Sequence, residues 1–178
     1  MFRRKVFESS GLAFDEKLHC DDIDLGIRLR RLKAKICIDP KLPVIHKKRY
    51  SIKSLCRNDF RVAAEFSQLL FQHSLVANSV HQRRFVHARF SQVLSLSAVG
   101  LSIVSAAFCS LFSPIVLLAV LSFLLLNLRF FRFLLQKSEL TFVAKAVLYT
   151  FFDQAIMLSG IVFGTLRWVM LRRKAKEN

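Results

Sequence analysis

Acid is scarce in this sequence: 12 Asp and Glu stand against 28 Lys and Arg, a formal charge of +16. Charge of either sign is missing altogether from Phe90 to Leu128. Metal-ligand spacing is also missing. Cys20, Cys37, Cys56 and Cys109 form no CxxC pair, and His73, His81 and His87 have no ligand spacing. That argues against a zinc site and against a disulfide framework; free thiols in a reducing compartment fit better. There is no glycine-rich phosphate loop or P-loop, no internal repeat and no low-complexity linker. The N-terminus is basic but lacks the apolar core of a signal peptide. Met1 opens directly onto Phe2-Arg3-Arg4-Lys5-Val6-Phe7, which reads as mid-domain sequence. The expectation is a truncated or partial chain.

What is present divides near Arg89. Residues 1–89 hold 19 Lys and Arg against 9 Asp and Glu; residues 90–178 hold 9 against 3. A polar module is expected ahead of a membrane module. As helix, the uncharged run would extend about 58 Å, whereas a bilayer core takes about 20 residues. Two spans are expected, divided at Ser113-Pro114. A third apolar stretch, Leu140 to Val169, contains Lys145 and Asp153. Lys145 can snorkel to headgroups, while an acid at mid-membrane faces protein or water. The other reading of that stretch is an interfacial or re-entrant helix.

Arg83, Arg84 and Arg89 precede the uncharged run, and Arg129, Arg132 and Lys137 follow it. The positive-inside rule puts both clusters in the cytoplasm, as a two-span hairpin requires. A full third span would put the tail cations Arg167, Arg172, Arg173, Lys174 and Lys176 outside; a re-entrant segment would keep them inside. Three spans are favoured by the length of the stretch. The location expected is the inner (plasma) membrane, multi-pass, with the polar module cytoplasmic.

Within the polar module, Arg3–Ser9 and Asp21–Leu32 read as helices, and Lys33–Asp39 and Pro43–His46 as short strands. Acids at Asp21, Asp22 and Asp24 suit a helix N-terminus. Ser51 is placed to cap a helix from Ile52 past Leu70. That helix is basic and Phe-rich, fitting either a membrane surface or packing on a catalytic domain. With about 75 residues the module is marginal as an independent domain; it reads as part of a larger α/β domain. The divisions are 1–50, 51–89 with amphipathic or interfacial helices, a membrane region over 90–171, and a basic tail over 172–178. The fold class is mainly α, with a partial α/β segment ahead of a helical transmembrane region.

The acids carry two readings. One is helix capping with charge pairing to Arg28. The other is a general base, since clustered carboxylates repel and one of them is then suited to take a proton from a hydroxyl. Arg57 and Arg61, one turn apart on one helix face, would meet either a diphosphate or lipid phosphates. His46 is either a ligand or diphosphate contact or a histidine satisfied at a strand end.

The run Arg4-Lys5-Val6-Phe7-Glu8, Gly11 and Phe14-Asp15-Glu16 begins a pattern continued by Asp21-Asp22-Ile23-Asp24-Leu25, Arg28-Leu29, Asp39-Pro40 and Val44-Ile45-His46. In order and spacing, residues 4–46 resemble the second half of family-2 glycosyltransferase domains. The resemblance implies a GT-A fold and inverting transfer from a nucleotide-diphospho-sugar to a lipid-linked or polysaccharide acceptor. It places Asp22 as catalytic base beside Asp21, where a Glu is more usual. Asp24 then orients the helix or the base, and Gly11 and Phe14 lie in the loop near the acceptor. It also implies Mg²⁺ or Mn²⁺ at the leaving diphosphate, with His46 at the family's histidine position. The family's nucleotide-binding half and its Asp-x-Asp motif have no counterpart here; Asp22-Ile23-Asp24 has that spelling at a different position. The chain alone is therefore expected to be inactive. The competing reading is a non-catalytic basic membrane protein that binds anionic lipid or a protein partner. Nucleic acid is not expected as a partner, because no binding motif accompanies the charge.

Overall fold

A computed structural model describes residues 13–14, 20–35, 41, 47, 49–75, 84–85, 88–108 and 113–177. The chain forms two compact units, Met1–Leu55 and Cys56–Asn178.

In the first unit, helix α1 spans Asp21–Arg31. Its first turn holds three acids and its last turn Arg28, Arg30 and Arg31, complementing both ends of the macrodipole. Leu25 and Leu29, four residues apart, are buried on one face. The helix ends where Lys33 adopts φ 55°. The amide of Lys33 then reaches the Arg30 carbonyl and that of Ala34 the Leu29 carbonyl, each at 3.0 Å. This is a Schellman closure built on a lysine, not the usual glycine. Residues 33–35 therefore turn away from α1 and do not begin the expected strand. The remainder of that strand, the Pro43–His46 strand and the Arg3–Ser9 helix lie outside the described residues.

Helix α2 covers Ile52–Gln72. Ser51 caps it as its position predicts, its Oγ accepting the Ser54 amide at 3.2 Å. A two-residue antiparallel ladder follows, strand β1 (Arg84–Phe85) beside β2 (Ala88–Arg89), with Arg84 opposite Arg89. It is the one strand pair among the described residues, at a place where no strand was expected. The described residues are mainly α, and the α/β segment gains no support from them.

Four helices complete the second unit: α3 Phe90–Phe108, α4 Pro114–Leu126, α5 Leu128–Lys137 and α6 Leu140–Glu177. Ser113 caps α4 through the Val116 amide, and Pro114 occupies the first helical position, where its missing N–H costs nothing. Helix α3 and residues Leu140–Lys174 of α6 are each long and apolar enough to cross a membrane, which is compatible with a membrane protein. The basic residues Arg172, Arg173 and Lys174 continue α6.

The expected second span is a bent pair of helices, α4 and α5, which together are long and apolar enough for one broken span or a re-entrant loop. Helix α4 has 13 residues, about 20 Å against a hydrocarbon core of about 30 Å. The chain then bends by 59° into α5. The break falls at Asn127, whose side-chain Nδ2 donates to Ser95 Oγ at 2.7 Å and to the Phe123 carbonyl at 2.8 Å. Ser95 Oγ donates onward to Gln154 Oε1 at 2.7 Å, joining α3, the α4–α5 break and α6. Beside this network lies the apolar centre of Ala98, Val99, Phe123 and Phe131, with Val147, Phe151 and Ala155 packed on it. Phe123 meets Phe151 edge-on, with centroids 5.3 Å apart and planes at 87°. Such edge-to-face pairs contribute about 0.5–1.5 kcal/mol beyond area burial.

The apolar face of α2 packs on α6. Gly160 of α6 lies against Phe60 and Ala63, and Gly164 against Ala64 and Ser67. Further along, Phe71 stacks on Trp168 at 4.9 Å, and Arg172 lies over the same indole at 5.1 Å. Glycines four residues apart allow close backbone approach, the usual device of helix pairs in membranes.

Candidate active site

The acids at the start of α1 are not equivalent. Asp24 is buried, and its Oδ2 pairs with Arg28 Nε at 2.8 Å, one turn later. Arg28 Nη2 also donates to the Ala13 carbonyl at 2.7 Å. One guanidinium thus ties the residue before Phe14 to the helix, and Asp24 holds that guanidinium in place. Phe14 itself is exposed.

Asp22 is exposed at the helix start. Its Oδ1 accepts the Ile23 amide at 2.8 Å, while Asp21 Oδ1 accepts the Asp22 amide at 2.9 Å. Cys20, the N-cap residue, makes no side-chain capping bond, so these two acids serve the first-turn amides instead. A carboxylate offers about four lone-pair sites, and one amide leaves Asp22 with capacity for a hydroxyl proton. The arrangement combines an anchored acid, Asp24, with a solvent-facing acid, Asp22.

The remaining candidates fall elsewhere. Gly11 and His46 lie outside the described residues. Arg57 and Arg61 are exposed on α2, in the second unit, one turn apart at the edge of the face packed on Gly160 and Gly164. Among the described residues no group of three or more His, Cys, Asp or Glu is arranged to hold a metal ion. Asp24 is committed to Arg28, so the acids of α1 do not supply a converging ligand set. Among the described residues, therefore, no ligand set for the implied Mg²⁺ or Mn²⁺ is found; Asp15, Glu16, Asp39 and His46 lie outside them.

No family model, curated protein or solved structure matches the chain.

Two polar features went unread in the sequence. The Arg28–Ala13 bond joins residues 15 apart and has no local signal. Asp153, noted as an acid in an apolar stretch, has the carboxylate of Asp59 in α2 as a charged neighbour, and Tyr149 lies near both acids. Its Oδ1 is buried and accepts no hydrogen bond. The acid at Asp153 was legible; the approach of Asp59 was not.

Proposed function

We propose that the chain carries the acceptor side and the membrane anchor of an inverting glycosyltransferase, with Asp22 as general base. The sequence pattern of residues 4–46 motivates this reading. The observation that supports it is the division of labour on α1: Asp24 is buried on Arg28, and Asp22 is left facing solvent. Asp22 takes the proton of an acceptor hydroxyl as that oxygen attacks the anomeric carbon of a nucleotide-diphospho-sugar. The sugar–phosphate bond breaks on the opposite face, the nucleoside diphosphate departs and the configuration inverts. Arg28 and Asp24 position this end of the helix against the Phe14 loop. A divalent cation at the diphosphate belongs to the same proposal, but no step is routed through it, since the described residues hold no group of three ligating side chains.

The acceptor in this reading is lipid-linked or a growing glycan, and the polar module lies on the cytoplasmic face of the plasma membrane. The apolar helices and the cations flanking Phe90–Leu128 support that placement. The test is release of nucleoside diphosphate from sugar nucleotides in lipid nanodiscs. The 178-residue chain alone is expected to show none. The chain joined to a nucleotide-binding half is expected to transfer sugar to a lipid-linked acceptor. Turnover by the chain alone would show that donor binding is built from these residues. No transfer by the joined protein would favour the second reading, a non-catalytic basic membrane protein.

A further inference from the structure

Helix α5 has the composition and placement of a surface element, although it directly continues an apolar helix. Its sequence, Leu128 to Lys137, holds Arg129, Arg132 and Lys137 and no acid; Glu139 is the first acid after it. At 100° per residue, Arg132, Gln136, Arg129 and Lys137 share one side, with Phe133 among them. Phe130, Leu134, Phe131, Leu135 and Leu128 occupy the other. Phe131 is buried on Phe123 and fixes which side meets the bundle. The three cations are exposed, and so are Phe130 and Leu135 on the flanks of the apolar side.

The Asn127–Ser95 hydrogen bond sets the depth at which α5 leaves. Ser95 stands five residues into α3, about 7.5 Å from its start. The returning arm α4 therefore breaks just short of the level at which α3 begins. There the chain bends by 59° and Arg129 follows within two residues. A helix leaving at that depth, with cations on the side away from the core and apolar residues on its flanks, has the form of an interfacial helix. Cations near a bilayer surface are drawn to anionic lipid over about one Debye length.

We propose that α5 lies along the membrane interface and binds anionic phospholipid headgroups through Arg129, Arg132 and Lys137. Phe130 and Leu135 lie against the upper acyl chains, and the α4–α5 pair is a short return arm followed by a surface helix, not one span. The proposal rests on the membrane reading of the chain and is independent of the transferase reading.

The experiment uses the whole chain with a tryptophan reporter on α5, Phe130→Trp, in a Trp168→Phe background, so that the reporter is the sole indole. Bilayers of phosphatidylcholine and phosphatidylglycerol are prepared with bromine on the acyl chains of one lipid or the other. Brominated phosphatidylglycerol is expected to quench more strongly at equal mole fraction, corresponding to roughly two- to fivefold local enrichment. The preference is expected to fall towards unity in 1 M NaCl with no further substitution, because screening then acts within about 3 Å. It is also expected to fall in Arg129→Gln/Arg132→Gln/Lys137→Gln and to persist in Arg172→Gln/Arg173→Gln. Equal quenching by both lipids in the unaltered cationic helix would overturn the proposal while leaving membrane insertion intact. A preference unaffected by either salt or the triple substitution would also overturn it. Absence of quenching by either lipid would overturn it together with the membrane reading.

Discussion

Gly164 of α6 sits directly against the backbone carbonyl of Ala64 in α2, with the Ser67 hydroxyl on the same spot. Ser67 Oγ itself donates to the Ala64 carbonyl at 2.8 Å, so the surface beneath Gly164 is already hydrogen-bonded and close-packed. A methyl group has no room there, and the obstacle is backbone.

Gly164→Ala is therefore expected to force α2 and α6 apart. Overpacking of this kind costs about 1–3 kcal/mol, roughly 2–10 °C in unfolding temperature for a chain of this size. Gly160→Ala is expected to behave similarly, since its Cβ would meet the Phe60 carbonyl and lie 3.0 Å from Ala63. Gly26→Ala is the control. Nothing lies within 4 Å of that position, and removing an interior helix glycine should stabilise by about 0.5–1 kcal/mol. Thermal unfolding in detergent compares all three.

The hydrogen bonds of Ser95 lead to a second prediction. Ser95→Ala removes the bond to Gln154 and strands the Asn127 donor. Polar contacts between membrane helices average about 0.6 kcal/mol and reach about 1.7. A loss of about 1–2 kcal/mol is expected from breaking two of them. Asn127→Leu should cost as much or more, because the helix break itself loses its fastening. Equal stability of either variant with the parent would show that the network does not hold the break.

How much of this was legible can be judged from these same residues. The start of α1, the Ser51 cap and the Ser113-Pro114 start of α4 are local signals, and local chemistry decides them. The apolar part of α6 was legible as the stretch from Leu140 to Val169; its continuation as helix through the basic tail to Glu177 was not. The break at Asn127 did not show, because one asparagine in an apolar run looks unremarkable until its partner, 32 residues earlier, is known. The pairing of α2 with α6 escaped for the same reason: lipid or a catalytic domain would suit that apolar face equally well. The strand read from Lys33 was displaced by a left-handed turn with no glycine to announce it. At the candidate site, the i,i+4 spacing of Asp24 and Arg28 was readable, and it separates the structural acid from the exposed one. The tether to Ala13 required the fold.

That left-handed turn gives a third prediction. Lys33 at φ 55° occupies a region that favours glycine. Lys33→Gly keeps both closing hydrogen bonds and relieves roughly 1 kcal/mol of strain. Slower hydrogen exchange of the last turn of α1 is the expected result; faster exchange would contradict the assignment of the turn.

Asp59 and Asp153 provide a fourth. Two neighbouring acids repel, and one oxygen of Asp153 is buried without a hydrogen-bond donor. Asp153→Asn supplies an N–H to that pair and should leave the chain as stable as the parent or more so, as should Asp59→Asn. The double-mutant cycle is expected to be non-additive by about 0.5–3 kcal/mol, as for residues in contact. Simple additivity would place the two side chains apart.

The transferase reading depends on Asp22 more than on any other residue. The decisive measurement is sugar transfer by Asp22→Asn in a protein that joins this chain to a nucleotide-binding half. Donor affinity and transfer rate are to be read separately. Loss of a general base predicts a fall of about 10²–10⁴-fold in the transfer rate with donor affinity essentially unchanged. Transfer at the parental rate would contradict the assignment of Asp22 and, with it, the functional reading of α1.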